Sequence, residues 1–321
     1  DEVRATSKAR TEYRIHQNPL LKFIKRENGR IVDDSDLSVD AITKRFGFKS
    51  VQFGNWVKDV EAKKHVRRFL ESLMDLEDVL EIDMKKLIEK AEMSIAFGAR
   101  GGMGTQIAHY EPMSKIINLT KTKGDGSVAH ELSHFFDHLI GGLTEGTKKE
   151  GVYLSQQIER ISKQSTVGGK TYEREKGHLK EVAPSTIDQR LLDAMDNVSQ
   201  SIKKGNYVDQ QTFEPTTSSS YYPSIKKIFE DRGFQAAVDS ISGYNKSDPE
   251  QNRKYLEYIA KLNGKPITVD IPTNKTQFYQ KAIDESEYWS SDQELFARAS
   301  ESYIEDLLAS KKMFNNYLVA N

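Results

Sequence analysis

His130, Glu131 and His134 are the residues of this chain whose types and spacing imply chemistry most directly. At about 100° per residue, two histidines four apart stack one turn above the other on a single helical face. Their ring nitrogens can then converge on one point, and Glu131 between them can reach a water held there by a metal. This is the H-E-x-x-H arrangement, in which two imidazoles bind zinc and the glutamate acts as general base. Val128, Leu132, Phe135, Phe136 and Leu139 recur at helical spacing on roughly the other side. The spacing therefore predicts an amphipathic helix with one face in a core and two imidazoles shown to a cleft.

A catalytic zinc needs a third protein ligand and an open position for water. The chain has no cysteine, so any such site must use histidine and carboxylate. Four residues are candidates: Asp137, His138, Glu294 and Glu301. Asp137 is one turn beyond His134 and has a short side chain. The position six after His134, where a third histidine ligand would fall in a related motif, holds Ile140. A carboxylate from a second helix completes a tetrahedral site more naturally. The segment from Ser290 to Leu307 supplies one, with Ser290, Ser291 or Asp292 able to cap it and Leu295, Phe296, Ala299, Tyr303, Ile304 and Leu307 forming its apolar face. Glu294, Arg298 and Glu301 share another face, and small Ala297 leaves room for close packing. Glu294, near the N-terminus of that helix, is therefore favoured as third ligand with Glu301 as the alternative, and Glu301 and Asp137 are then expected to orient the imidazoles from behind. A developing oxyanion would need an electrophile as well. Tyr288, Tyr303, Arg298 and His109 are all candidates, and sequence does not choose among them.

The surroundings of the motif fit this chemistry. Met93 to Gly98 reads as a strand, and Gln106–Tyr110 with Lys115–Leu119 reads as a hairpin around Glu111–Ser114. Gly124–Ser127 then turns the chain into the helix, with Asp125 or Ser127 as N-cap. An edge strand leading into such a helix is where an extended peptide could pair by its backbone. The glycine cluster Gly101, Gly102 and Gly104 lacks the pattern of a phosphate loop. His65 has Phe69 four residues on rather than a second ligand, and His178 stands alone among charged residues.

The remaining sequence sets bounds. With 321 residues there is room for one large domain or two ordinary ones. Forty-seven Lys and Arg against 48 Asp and Glu leave a net charge of −1, which gives no global indication of nucleic acid, although Lys63, Lys64, Arg67, Arg68, Lys121 and Lys123 form local basic groups. No apolar run approaches the roughly 20 residues of a membrane span, so no membrane partner is expected. The first residue is Asp1 and no signal-peptide pattern follows, so the chain reads as a piece of a longer polypeptide. Four regions are expected: a leader or lobe at 1–39, a core with the metal helix at 40–140, a mostly helical insertion at 141–284, and a C-terminal helix at 285–321 that supplies the third ligand. Within 141–284, Leu191, Leu192, Met195 and Val198 predict one helix, and Ile225, Ile228, Phe229 and Phe234 another.

Several stretches resemble the large polyvalent protein associated domain 1 family. They are Phe46–Phe48 through Trp56-Val57, Ala96–Gly101, Ala108–Pro112, Ile117–Gly124, the metal helix, Glu294–Ala299 and Asn315–Val319. The resemblance runs over about 40–140 and 285–321. It implies a zincin-like metallopeptidase domain carried in very large proteins of phages and mobile genetic elements. His130, His134 and Glu294 would be the ligands of a gluzincin-like site and Glu131 its base. It also implies the bacterial host cytoplasm as location, after delivery by a phage or conjugative element.

Together these readings predict an α+β, helix-rich, zincin-like domain with a small mixed sheet and an edge strand beside the active-site helix. The expected activity is Zn²⁺-dependent hydrolysis of a protein or peptide substrate. Two rivals share the scaffold: a catalytically silent zinc-binding module for anti-defence or nucleoprotein binding, and a toxin domain that cleaves a host protein.

Overall fold

The computed structural model describes residues 24–33, 37–54, 59–97, 108–119, 126–142, 153–175, 177–185, 187–242 and 248–319. Trp56, Val57, the stretch Gly98 to Gly104, and Thr120 to Asp125 lie outside them, as do residues 20–23 and residues 143–152. The chain divides into two compact units, one formed by 1–202 with 285–321 and the other by 203–284. Both are mixtures of helices and small sheets, so the fold class is α+β.

The first unit is built on a four-stranded sheet of order β2-β3-β5-β4, from Val51–Phe53, Ser94–Phe97, Ile116–Leu119 and Ala108–Glu111. The first three are parallel and β4 runs antiparallel at the edge, with Tyr110 opposite Ile117 and His109 opposite Asn118. All residues of β3 and β5 are buried, as expected of central strands covered on both faces. The hairpin between β4 and β5 closes at Lys115, which takes φ 53°.

Helices α1 (Val39–Phe46), α2 (Asp59–Leu80) and α3 (Met84–Ala91) contribute Ile42, Phe46, Phe69, Leu73, Met84 and Ile88 to the core. Ser38 caps α1 by accepting from Ala41 N at 3.0 Å, and Asp83 caps α3 by accepting from Lys86 N at 3.1 Å. Helix α4 (Val128–Gly142) adds Val128, Ala129, Leu132 and Phe135 to the same core.

The last helix and the tail close this unit around α4. Helix α10 (Asp292–Ser310) packs against α4, and the chain then reverses into β11 (Phe314–Asn315), which pairs with β1 (Arg26–Glu27). Beyond β11 the tail meets the start of α4: Tyr317 O accepts from Gly126 N at 2.9 Å and Leu318 O from Ala129 N at 3.0 Å. Donors at a helix N-terminus that lack an intrahelical partner are satisfied in this way. The tail is itself fixed by a buried polar network. Asp75, fully buried, accepts from Arg26 Nε at 2.8 Å, Arg26 Nη2 at 2.6 Å and Asn315 Nδ2 at 2.8 Å. Asn315 Oδ1 accepts from the backbone of Tyr317 and Leu318. Asp75→Ala would take from the Arg26 guanidinium its nearest carboxylate, leaving it Glu71 at 3.9 Å and the Arg30 carbonyl, and from Asn315 one of two acceptors, so a loss of about 3 kcal/mol is expected in denaturant unfolding. A loss within 0.5 kcal/mol, the level of ordinary surface substitutions, would show that the network is dispensable.

Residues 153–202 belong to this first unit. They comprise α5 (Leu154–Ser162), a meander of β6 (Ser165–Val167), β7 (Lys170–Glu175) and β8 (His178–Val182), and α6 (Gln189–Lys203), where the leucine and methionine spacing predicts a helix. Gly168 and Gly169 both take positive φ, 59° and 78°, which matches the tight hairpin turn between β6 and β7. Leu154, Ile158, Leu192 and Met195 form a small cluster that also takes in Ile140 and Phe296.

The second unit contains β9 (Val208–Phe213), α7 (Pro223–Ser242), α8 (Pro249–Asn263), β10 (Ile267–Pro272) and α9 (Gln277–Glu285). The two strands pair antiparallel, and Phe213, Ile225, Val238, Leu256, Ile259 and Ile267 form its core. Gly233, at φ 86°, breaks α7 into two helical pieces. The insertion expected to be mostly helical thus also carries strands β6 to β10 among its described residues. No described helix is long and apolar enough to cross a membrane.

Candidate metal centre

Helix α4 presents His130, Glu131 and His134 as its period predicts. Leu132 and Phe135 go into the core, while the imidazoles turn towards α10. His130 and His134 meet edge to face with ring centroids 4.7 Å apart. Helix α10 brings Glu294 to them, and Ala297, fully buried one turn on, allows close packing at that level.

The ligand atoms define a small triangle. His134 Nε2 is 3.1 Å from His130 Nε2 and 3.1 Å from Glu294 Oε1, and His130 Nε2 is 3.5 Å from Glu294 Oε2. Around a tetrahedral zinc with metal–ligand distances of about 2.05 Å, ligand atoms are separated by about 3.3 Å. The two separations to Glu294 run to its different oxygens, and all three lie near that value, as suits a small cation held among these groups. Among the described residues this trio is the group of His, Asp and Glu side chains that could hold a metal. Glu131, Glu294 and Glu301 are all buried here, which concentrates negative charge around the imidazoles.

The electrostatics respond accordingly. Burial disfavours the charged form of His130, but hydrogen bonding to Glu294 and Glu301 outweighs it and raises the pKa to about 10. Burial also acts to raise the Glu294 carboxyl, yet the two imidazoles and the Tyr288 hydroxyl hold it well below the usual carboxylate range. The carboxylates around His130 thus favour positive charge at this centre. Glu131 behaves differently: burial pushes its pKa up, opposed by the two histidines. A carboxylate whose proton affinity is raised is suited to accept and return a proton.

The residues expected behind the ligands separate into two cases. Glu301 Oε2 is 3.5 Å from His130 Nδ1, on the ring edge away from Glu294. Asp137 is turned elsewhere: Oδ1 accepts from Ser155 N at 2.8 Å and Oδ2 from Ser155 Oγ at 2.5 Å. No hydrogen bond joins Asp137 to either imidazole among the described residues, and His134 Nδ1 is buried without a partner among them. The physical reason is that the first turn of α5 offers unpaired N–H groups to a fully buried acid, and Asp137 satisfies them. Burial raises the Asp137 pKa to about 6, against the lowering effect of those donors.

The four candidate electrophiles are also placed. Tyr288 donates to Glu294 Oε1 at 2.6 Å, so its hydroxyl supports a ligand. Arg298 lies over the Trp289 ring, 4.3 Å from its centroid. His109 Nε2 is 3.2 Å from Glu111 Oε1. Tyr303 is 58% exposed. His138, the remaining third-ligand candidate, accepts or donates a 2.9 Å hydrogen bond with the Tyr110 hydroxyl of β4 and is not in the ligand triangle. His65 packs beside Phe97 and Tyr317, and His178 is exposed on β8.

One aromatic at this centre has no mark in the local sequence. Tyr153, at the N-cap position of α5, meets the His134 ring edge to face at 6.0 Å and the His138 ring at 5.7 Å. It precedes an ordinary amphipathic helix, and the packing of α5 beside Ile140 and Phe296, with Asp137 accepting from its first turn, brings it here.

No curated protein and no solved structure matches the chain. The family model that matches does so over α10, the tail and the residues just before them, the segment that supplies Glu294, Tyr288 and the carbonyls at the start of α4. Residues 40–140 lie outside that match. The matching model is that of large polyvalent protein-associated domain 1, and residues 281–321 are the part of the chain that is similar to it.

Proposed function

We propose that the first unit is a zincin-like, zinc-dependent peptidase domain of a polyvalent protein of phages or other mobile elements. The observation that carries this reading is the triangle of His130 Nε2, His134 Nε2 and Glu294, with separations of 3.1, 3.1 and 3.5 Å and Glu131 buried beside it. A nitrogen, nitrogen, oxygen donor set without thiolate suits zinc. When bound, zinc supplies a Lewis acid that polarises a carbonyl and lowers the pKa of water.

The chain's own groups would do the rest. A Glu131 carboxylate oxygen takes one proton from the attacking water as its oxygen bonds to the substrate carbonyl carbon. The same oxygen returns that proton to the amide nitrogen as the C–N bond breaks, so one water is consumed and an acid and an amine are released. Glu301 orients His130 through Nδ1, and Tyr288 holds the Glu294 carboxylate by its hydroxyl. Strand β4, at the sheet edge, supports an extended peptide by main-chain hydrogen bonds. The arrangement of three parallel strands with one antiparallel edge strand ahead of the H-E-x-x-H helix supports the zincin-like reading.

The test is a peptide library incubated with the zinc-loaded protein, with and without a chelator. Cleavage that a chelator abolishes and added zinc restores is the expected result. Silence from protein with zinc demonstrably bound would overturn the peptidase reading.

A further inference from the structure

Three tyrosines ring the candidate centre from three different elements: Tyr110 on β4, Tyr153 at the start of α5 and Tyr288 just before α10. Two of the hydroxyls are committed. Tyr110 is hydrogen-bonded to His138 Nδ1 and Tyr288 to Glu294 Oε1. The Tyr153 hydroxyl has no hydrogen-bond partner among the described residues, although its ring is held against both His134 and His138. Its backbone is fixed as well, because α5 begins at Leu154 and Asp137 accepts from the first turn at Ser155.

Resting on the peptidase reading, we infer that Tyr153 is the hydrogen-bond donor to the substrate carbonyl oxygen as it gains negative charge, and that Asp137 is the positioning residue that sets it there through α5. A donor for this task must hold its proton at neutral pH. A phenol, with its ordinary pKa of about 10, does so. The other candidates are less free: Arg298 is stacked on Trp289 and His109 is paired with Glu111. The design has an economy of parts. The helix that carries the two histidines also carries, one turn further on, the acid that caps the helix presenting the tyrosine.

The experiment uses acetohydroxamate, whose carbonyl oxygen can engage a zinc centre and accept a hydrogen bond, titrated into the zinc-loaded full chain. Tyr153→Phe is expected to raise its Kd about tenfold, the loss of one charge-assisted hydrogen bond, with zinc affinity unchanged. Tyr288→Phe should do the reverse and weaken zinc more than the hydroxamate. Asp137→Asn should raise the hydroxamate Kd in the same direction, and Asp137→Asn with Tyr153→Phe should be no worse than Tyr153→Phe alone, since both act through one hydroxyl. Additive losses would overturn the positioning role. An unchanged hydroxamate Kd in Tyr153→Phe with zinc bound would overturn the donor role and leave the peptidase reading standing. A tenfold loss in a protein that cleaves no library peptide would overturn the peptidase reading, and with it the substrate role, and leave Tyr153 only as a donor to a ligand of the centre. A wild-type chain that holds no zinc would overturn both.

Discussion

Glu131→Gln is expected to keep zinc bound and to lower peptide hydrolysis by about 10²- to 10⁴-fold, the range for removing a positioned general base. Glutamine preserves the volume of a side chain that is only 5% exposed, so packing in α4 should survive. It cannot take a proton from water at the carboxylate oxygen. The carboxyl is not one of the atoms in the ligand triangle, and zinc content measured after dialysis should match the wild type. Burial raises the pKa of Glu131, so an isosteric neutral group also removes a charge that was costly to bury. The variant should be at least as stable to heat as the wild type. Loss of zinc together with activity would mean that Glu131 belongs to the binding set. Undiminished hydrolysis would remove it from the reaction.

The second large effect is expected from separating the two acids of α10. Glu294→Ala should lower zinc affinity by well over 10²-fold, because it removes one of three ligands. Glu301→Ala should lower it by only about 10- to 100-fold, as for groups that orient a ligand from behind. The geometry behind this difference is direct: Glu294 reaches both Nε2 atoms, at 3.1 and 3.5 Å, whereas Glu301 meets only His130, on its Nδ1. Competition titration with a chromophoric chelator measures both constants. The reverse order would make Glu301 the ligand and require His130 to flip its ring. Equal and large losses would point to a site that collapses when either acid is removed.

How much of this was legible beforehand varied with the kind of signal. The α4 helix was, because Val128, Leu132 and Phe135 repeat at 3.6 and the two histidines at four. The strands β3, β4 and β5 were, because short apolar runs are bounded by turn residues. The meander β6–β8 was not: β6 and most of β8 are exposed, and little apolar alternation betrays the strands. A signal did exist for β10, where Ile267, Val269 and Ile271 alternate and the first two are buried. The pairing of β1 with β11 is also beyond local pattern, since it joins Arg26 to Asn315 across nearly the whole chain.

The sequence by itself determined the two imidazoles, the glutamate between them and a helix downstream with an acid facing away from its apolar side. These follow from helical period alone, which fixes neighbours within one element. Only the tertiary structure decided which carboxylate reaches the imidazoles, that Asp137 serves the first turn of α5 rather than a histidine, and that Tyr153 stands at the centre. Each of those depends on where one helix end lies against another. That position is set by the packing of Ala297, the Asp75 network and the tail against α4, contacts between residues far apart in the chain. Local periodicity carries no information about such distances, and the chemistry of the site lies in them.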